Sequence, residues 1–188
     1  MSEKYELILT PEFRLSFPVL KEAKAFEDKG EPKFSITMIF PKSADISEIK
    51  RAVGDALRKK WPKVTTPEDV AKMRIRNPIL DGDERVADWG EAYENSVFIR
   101  AITTIRPDTL DKYREPLDPD AFYAGCYCRA VVHAFAYETK GNRGVSISLD
   151  GIQFVRDGEP LGNRSAVKEL FPGEEKPADA PKKAADLF

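Results

Sequence analysis

The chain has 188 residues, 41% of them hydrophobic and 33% charged, with a formal net charge of −2. At this length roughly 70% of the unfolded surface can be buried, enough for one core without staples, and no run approaches the roughly 18 apolar residues of a membrane span. The near-neutral charge excludes a strongly basic nucleic-acid coat, and Met1-Ser2-Glu3-Lys4-Tyr5-Glu6 lacks the basic-then-apolar layout of an export signal.

Phe13, Leu15 and Phe17 alternate with Arg14 and Ser16, and Phe34, Ile36, Met38 and Phe40 alternate with Ser35, Thr37 and Ile39. Period two predicts two strands, each with one face to a core. From Asp45 the period changes: Ile46, Ile49, Val53, Ala56, Leu57 and Trp61 recur at three and four, predicting a helix. Asp45 with Glu48 is a capping-box-like start, Pro62 ends it, and Arg58, Lys59 and Lys60 suit its C-terminal pole. Asp81-Gly-Asp-Glu84 reads as a polar turn, and 97–105 as a β-branched strand. Segments 126–138 and 144–155 flank the turn-rich Thr139-Lys-Gly-Asn-Arg143 and predict a long hairpin. Past Gly151 the apolar parity shifts from Val145, Ile147 and Leu149 to Ile152 and Phe154, which predicts a bulge at Asp150-Gly151.

These elements predict a mainly β domain over 1–171, an OB-fold-like small β-barrel with an inserted α-helix. From Pro172-Gly173 to Phe188 the chain is rich in Pro, Ala and charge without apolar period, so 172–188 is expected to be a disordered tail. Leu187 and Phe188 stand out as apolar groups at its end.

Composition also narrows the chemistry. The single histidine, His133, would have to serve any Ser-His or Cys-His mechanism, and there is no GxGxxG or Walker loop. Cys126 and Cys128, two apart, fit a reducing cytosol and, on a strand, face the core together rather than bind zinc. No catalytic residue, metal ligand or cofactor is expected. The one enzymatic alternative is a metal-dependent nuclease using Asp81, Asp83, Glu84 and Asp88, against which stands a simple solvated turn. A virion or scaffold protein without a DNA role is the other alternative.

A nucleic-acid reading rests on local features. Residues 50–76 carry nine cations against three carboxylates, a local excess of six, and local charge is what phosphates feel within a Debye length of about 8 Å. Strand parity places Tyr127, Arg129, Val131, His133, Phe135 and Tyr137 on one face of 126–138, and Phe98, Arg100, Ile102, Thr104 and Arg106 on one face of 97–106. Aromatics interleaved with arginines suit a single-strand binder, where bases stack on rings and cations track phosphates. Phe98, Tyr127, Phe135 and Tyr137 are the expected stacking residues, and Arg100, Arg106, Arg129, Lys72, Arg74 and Arg76 the expected backbone contacts. Trp61 and Trp89 fit core, groove or interface equally.

Five blocks then resemble one family in order over about 10–165: Glu31-Pro-Lys-Phe-Ser-Ile-Thr-Met-Ile-Phe-Pro-Lys42, Asp81-Gly-Asp-Glu84, Phe122-Tyr-Ala-Gly-Cys-Tyr-Cys-Arg-Ala130, Gly141-Asn-Arg-Gly144 and Asp157-Gly-Glu-Pro-Leu-Gly-Asn-Arg-Ser165. They resemble the bacteriophage and prophage single-stranded-DNA-binding proteins of OB fold, distant relatives of the T7 phage protein of that function. The resemblance implies sequence-independent, non-enzymatic coating of single strands in phage replication, recombination and repair, in the cytoplasm of an infected or lysogenic bacterium, with no membrane association and with a homodimer left open. It also implies a tail that recruits polymerase and helicase, here through Asp186, Leu187 and Phe188. The tail departs from the strongly acidic family pattern, since Lys176, Lys182 and Lys183 offset Glu174, Glu175, Asp179 and Asp186, so partner docking is expected to survive better than competition with DNA.

Overall fold

The structure, a computed structural model, describes residues 4–26 and 29–162. The expected tail, with Asp186, Leu187 and Phe188, and the expected boundary at 171 lie outside the described residues.

Five strands close a ring. β2 (Phe13–Phe26, after a two-residue β1 at Ile8–Leu9) pairs antiparallel with β3 (Lys29–Pro41), and β3 with β6 (Ser96–Thr103). β6 runs parallel to β9 (Asn142–Arg156), β9 antiparallel to β8 (Tyr127–Thr139), and β8 returns to β2 through Phe13–Cys128 and Arg14–Tyr127. In ring order the five strands run first, second, third, fifth, fourth, which is the Greek-key closure of an OB barrel. The ring is uneven. β8 and β9 pair along their whole length, whereas β6 meets β9 at Ala101–Ile147 and Ile102–Ser148.

The expected hairpin, helix and bulge are all present. Val131 pairs Gly151 while Val132 pairs Leu149, leaving Asp150 as the extra residue that bends β9. The helix is α1, Ser47–Lys60, and Asp45 accepts a hydrogen bond from the Ser47 N–H at 3.1 Å. The reciprocal box with Glu48 is not formed: Ile46 is the N-cap and carries no side-chain cap.

Two further helices were not read from the pattern. α2, Pro67–Lys72, is opened by a capping box between Thr66 and Asp69 with Pro67 in its first turn. α3, Val86–Trp89, lies between the short strand β5 (Ile79–Asp81) and β6. β4 (Ile75–Arg76) and β7 (Asp108–Leu110) add parallel pairings to the free stretches of β9.

Leu15, Ile36, Met38, Phe40, Ile99, Ala101, Cys128, Ala130, Val132, Ile147 and Leu149 fill the interior, and Ile46, Ile49 and Ala52 of α1 join the same core. Full burial of an aliphatic side chain contributes about 1.5–3 kcal/mol, so this interior rather than surface ion pairs holds the ring together. Cys126 and Cys128 face it together as expected, Sγ to Sγ 3.6 Å. The adjacent thiol and burial hold Cys128 protonated far above the ordinary range. Trp61 belongs to a second core, with Val64 and Ile75 between α1, α2 and β4.

Candidate nucleic-acid interface

Register places the outward side chains in rows. Leu80, Phe98, Ile39, Arg14, Tyr127 and Arg156 are successive Cα partners across β5, β6, β3, β2, β8 and β9. Two residues along, Arg100, Thr37 and Ser16 form the next row over β6, β3 and β2. Alternation puts both rows on the outside of the barrel.

The connection from β5 to β6 folds down onto this face. Gly82 makes the entry possible, because a Cβ there would stand 2.1 Å from Ser96 Oγ and 2.4 Å from the Tyr93 carbonyl. Asp83 fastens it, accepting from the Asn95 N–H at 2.7 Å and from Lys42 Nζ at 2.5 Å. The Lys42 ammonium and the Asn95 N–H hold the Asp83 carboxyl below its ordinary range. Tyr93 then packs on Ile39 and Phe98, and its hydroxyl donates to Ser16 Oγ at 2.8 Å. Burial pushes the Tyr93 phenol up, so the group stays a neutral donor.

Above this plug sits Trp89, its ring centroid 5.2 Å from Tyr93 and 5.4 Å from Phe98. It remains 40% exposed, and the Arg85 guanidinium lies over its ring at 5.1 Å. Phe17 stands beside it, 53% exposed, with centroids 5.4 Å apart and planes at 69°. Strand parity would bury Phe17 with Phe13 and Leu15. Instead the β2–β3 register breaks after Ser16, and Phe17 takes φ +45° immediately before Pro18. Left-handed backbone is strained for an aromatic residue, and a following proline disfavours helical backbone further. The register break and left-handed turn direct the ring out of the core into solvent.

Among the expected backbone contacts, Arg100 is exposed and its side chain makes no hydrogen bond or ion pair among the described residues. Arg106 lies over the Phe34 ring at 5.2 Å, at the far end of β6. Lys72, Arg74 and Arg76 are exposed at the end of α2 and along β4, beside the β8–β9 turn, since Ile75 pairs Arg143 and Arg76 pairs Gly144. Arg14, in the first row, donates instead to the carbonyls of Glu159 at 2.6 Å and Gly125 at 3.4 Å, pinning the segment after β9 across the sheet.

The expected stacking residues fare differently. Phe98 requires correction: it is 4% exposed under Trp89 and Tyr93, so no base can reach its face. Tyr127 is half-buried beneath Arg156, whose guanidinium is 3.7 Å from the ring centre and is held by Glu12. Tyr137 lies against Gly144, where a Cβ would stand 2.7 Å from its hydroxyl. Phe135 is half-buried on a groove of about 370 Å³ between β8, α1 and residues 4–6. Arg129 is exposed on the same strand. The structure therefore does not bring the β8 residues together with Arg100, and it adds Phe17, Trp89 and Arg85, which parity did not single out.

The acidic cluster is arranged for structure. Lys42 Nζ bridges Asp81 at 3.3 Å and Asp83 at 2.5 Å, so an ammonium already occupies the space between them. Among the described residues no group of three or more His, Cys, Asp or Glu could hold a metal ion.

The face thus carries an exposed pair of rings beside cations, Phe17 on the first strand of the ring and Trp89 on the crossover that leads into the third. Residues 6–181 match the family described as Enterobacter phage Enc34, ssDNA-binding protein. The chain belongs to the Enc34 single-stranded-DNA-binding family. Within reach of it is protein p50 of Acyrthosiphon pisum secondary endosymbiont phage 1, 32% identical over 167 residues, covering 84% of this chain and 88% of that protein.

The solved Enc34 protein in complex with ssDNA is similar at 28% identity and a TM-score of 0.68, covering 83% of this chain and 89% of the other. The T7 single-stranded-DNA-binding protein gp2.5, at 10% identity and a TM-score of 0.61 over 95% of this chain and 100% of the other, shares the fold. The family and the Enc34 protein are both described by binding of ssDNA, which supports a binding protein rather than an enzyme. Among its described residues no helix is long and apolar enough to cross a membrane.

Proposed function

We propose that the chain binds single-stranded DNA without reading base edges, through the outer face of β2, β3 and β6. Bases stack on Phe17 and Trp89, and Arg85 and Arg100 meet the adjoining phosphates. The strand continues past Arg76, Arg74 and Lys72 toward the β8–β9 turn. The observation that carries this reading is the pair of exposed rings: one is raised by a strained bulge, the other is presented by a fastened crossover, and both keep much of their surface in solvent. Stacking is worth roughly 1–3 kcal/mol per base and tolerates any base. Membership of a phage family and the Enc34 protein's complex with ssDNA support the same partner.

Service in phage replication, recombination and repair inside the bacterial host follows as part of the proposal, as does recruitment of polymerase and helicase through Asp186, Leu187 and Phe188. Titration of the full-length chain into labelled dT oligonucleotides and a matched duplex tests the binding. Single strands should bind far tighter, with log K falling with log salt by about 0.7 per phosphate contacted. Equal affinity for duplex, or no binding at low salt, contradicts the proposal.

A further inference from the structure

Phe17 and Trp89 do not form a slot. Their planes meet at 69° with centroids 5.4 Å apart, so they make a corner. Neighbouring bases in a stacked single strand are parallel, and two parallel bases cannot both lie flat on these rings. We propose that the bound strand turns sharply at this corner, one base on Phe17 and its neighbour on Trp89, with the stack between them opened. The inference rests on the stacking role proposed above and adds the shape of the bound strand.

The fold sets where the two rings stand. Trp89 is braced edge-on by Phe98 and by Tyr93, whose hydroxyl is bonded to Ser16, the residue before Phe17. The left-handed backbone of Phe17, followed by Pro18, aims its ring at this corner, where it meets Trp89. A turn also crowds phosphates, and cations are placed for this: Arg85 lies over the Trp89 ring, and Arg100 stands in the next row of the same face. Neither makes an ion pair among the described residues.

Opening a stacked step costs more in a dA run than in a dT run, so the corner selects by stacking strength without any base-edge contact. The full-length protein should bind dT roughly tenfold tighter than dA of equal length. In Phe17→Ala one wall is gone, neighbouring bases can stay stacked on Trp89, and the dT/dA ratio should fall toward one. Phe17→Tyr, which keeps the plane, should retain the ratio. A dT oligonucleotide labelled at both ends should show higher energy transfer when bound to the wild type than to Phe17→Ala. Thermal melting of each variant confirms that it is folded, and Phe17→Leu serves as a second variant that keeps apolar bulk without a plane. A ratio and a transfer efficiency unchanged in Phe17→Ala, with weakened dT binding, overturn the turn and leave stacking in place. Unchanged dT affinity in that variant overturns the stacking role as well.

Discussion

The outer face of β8 and the outer face of β2, β3 and β6 have similar ingredients, aromatic rings alternating with cations, yet the fold treats them oppositely. On β8 most of these groups have internal partners. Tyr127 is covered by Arg156, Tyr137 rests on Gly144, and His133 is bonded to Asp150 at 2.7 Å with Tyr5 stacked on its ring at 4.4 Å. On the other face, Phe17 and Trp89 project into solvent, Arg100 is unpaired among the described residues, and backbone strain is tolerated to keep Phe17 out. An aromatic–cation mixture therefore marks a binding surface only where the rings keep a large share of their surface in solvent despite their neighbours. Exposure maintained against strain is the better sign.

The sharpest way to break this contrast is a pair of double variants. Phe17→Ala with Trp89→Ala should weaken dT binding by about 2–6 kcal/mol, at 1–3 for each ring, while Tyr127→Ala with Phe135→Ala should chiefly lower the melting temperature. Anisotropy titrations beside thermal melts check both, and the reverse pattern would move the site to β8.

The plug beneath Trp89 offers a smaller effect. Tyr93→Phe should destabilise the fold by about 1–2 kcal/mol, because Ser16 Oγ loses its buried donor, and denaturant melts measure this directly. Phe17→Gly should act with the opposite sign on stability, gaining up to about 1 kcal/mol as the left-handed strain is relieved, while still losing affinity. A variant that is more stable but binds less would set the role of the strain apart from that of the packing. Arg100→Gln should lower the slope of log K against log salt by about 0.7, one phosphate's worth on a single strand.

The smallest expected effect is an acid-dependent one. Asp83 has a folded value below the ordinary 3.8, so the stabilisation it gives the crossover is fully present above that pH and is lost as pH falls through the lowered value. Trp89 emission followed below pH 4 should show this step, and Asp83→Asn should abolish it. An identical acid profile in Asp83→Asn removes Asp83 from the anchor.

Much of the scaffold was legible because period and parity report burial directly. The hairpin, α1, the Asp150 bulge and the inward thiols follow from the spacing of apolar residues. Parity also placed Phe98 and Arg100 correctly on one outer face. It could not show that the crossover folds back over Phe98, since that depends on Gly82 meeting Ser96 and on Tyr93 reaching Ser16, 77 residues away.

Tyr127 misled for the same reason, its cover coming from Arg156 and from a close approach at Gly158. Phe17 was assigned to the core by alternation, and one local signal opposed that assignment: an aromatic residue directly before Pro18 within a strand pattern, where a bulge is favoured. α2 carried a readable start in Thr66-Pro67-Glu68-Asp69, obscured by the shortness of the helix.

The central claim is that bases stack on Trp89, and its own emission reads this most directly. The chain has two tryptophans, Trp61 in the second core and Trp89 on the proposed face, so Trp61→Phe leaves one reporter. Saturable quenching of Trp89 by dT oligonucleotides, at the concentrations where anisotropy shows binding and absent with duplex, is the predicted result. Binding by anisotropy with Trp89 emission unchanged would place the DNA elsewhere on the barrel and contradict the account.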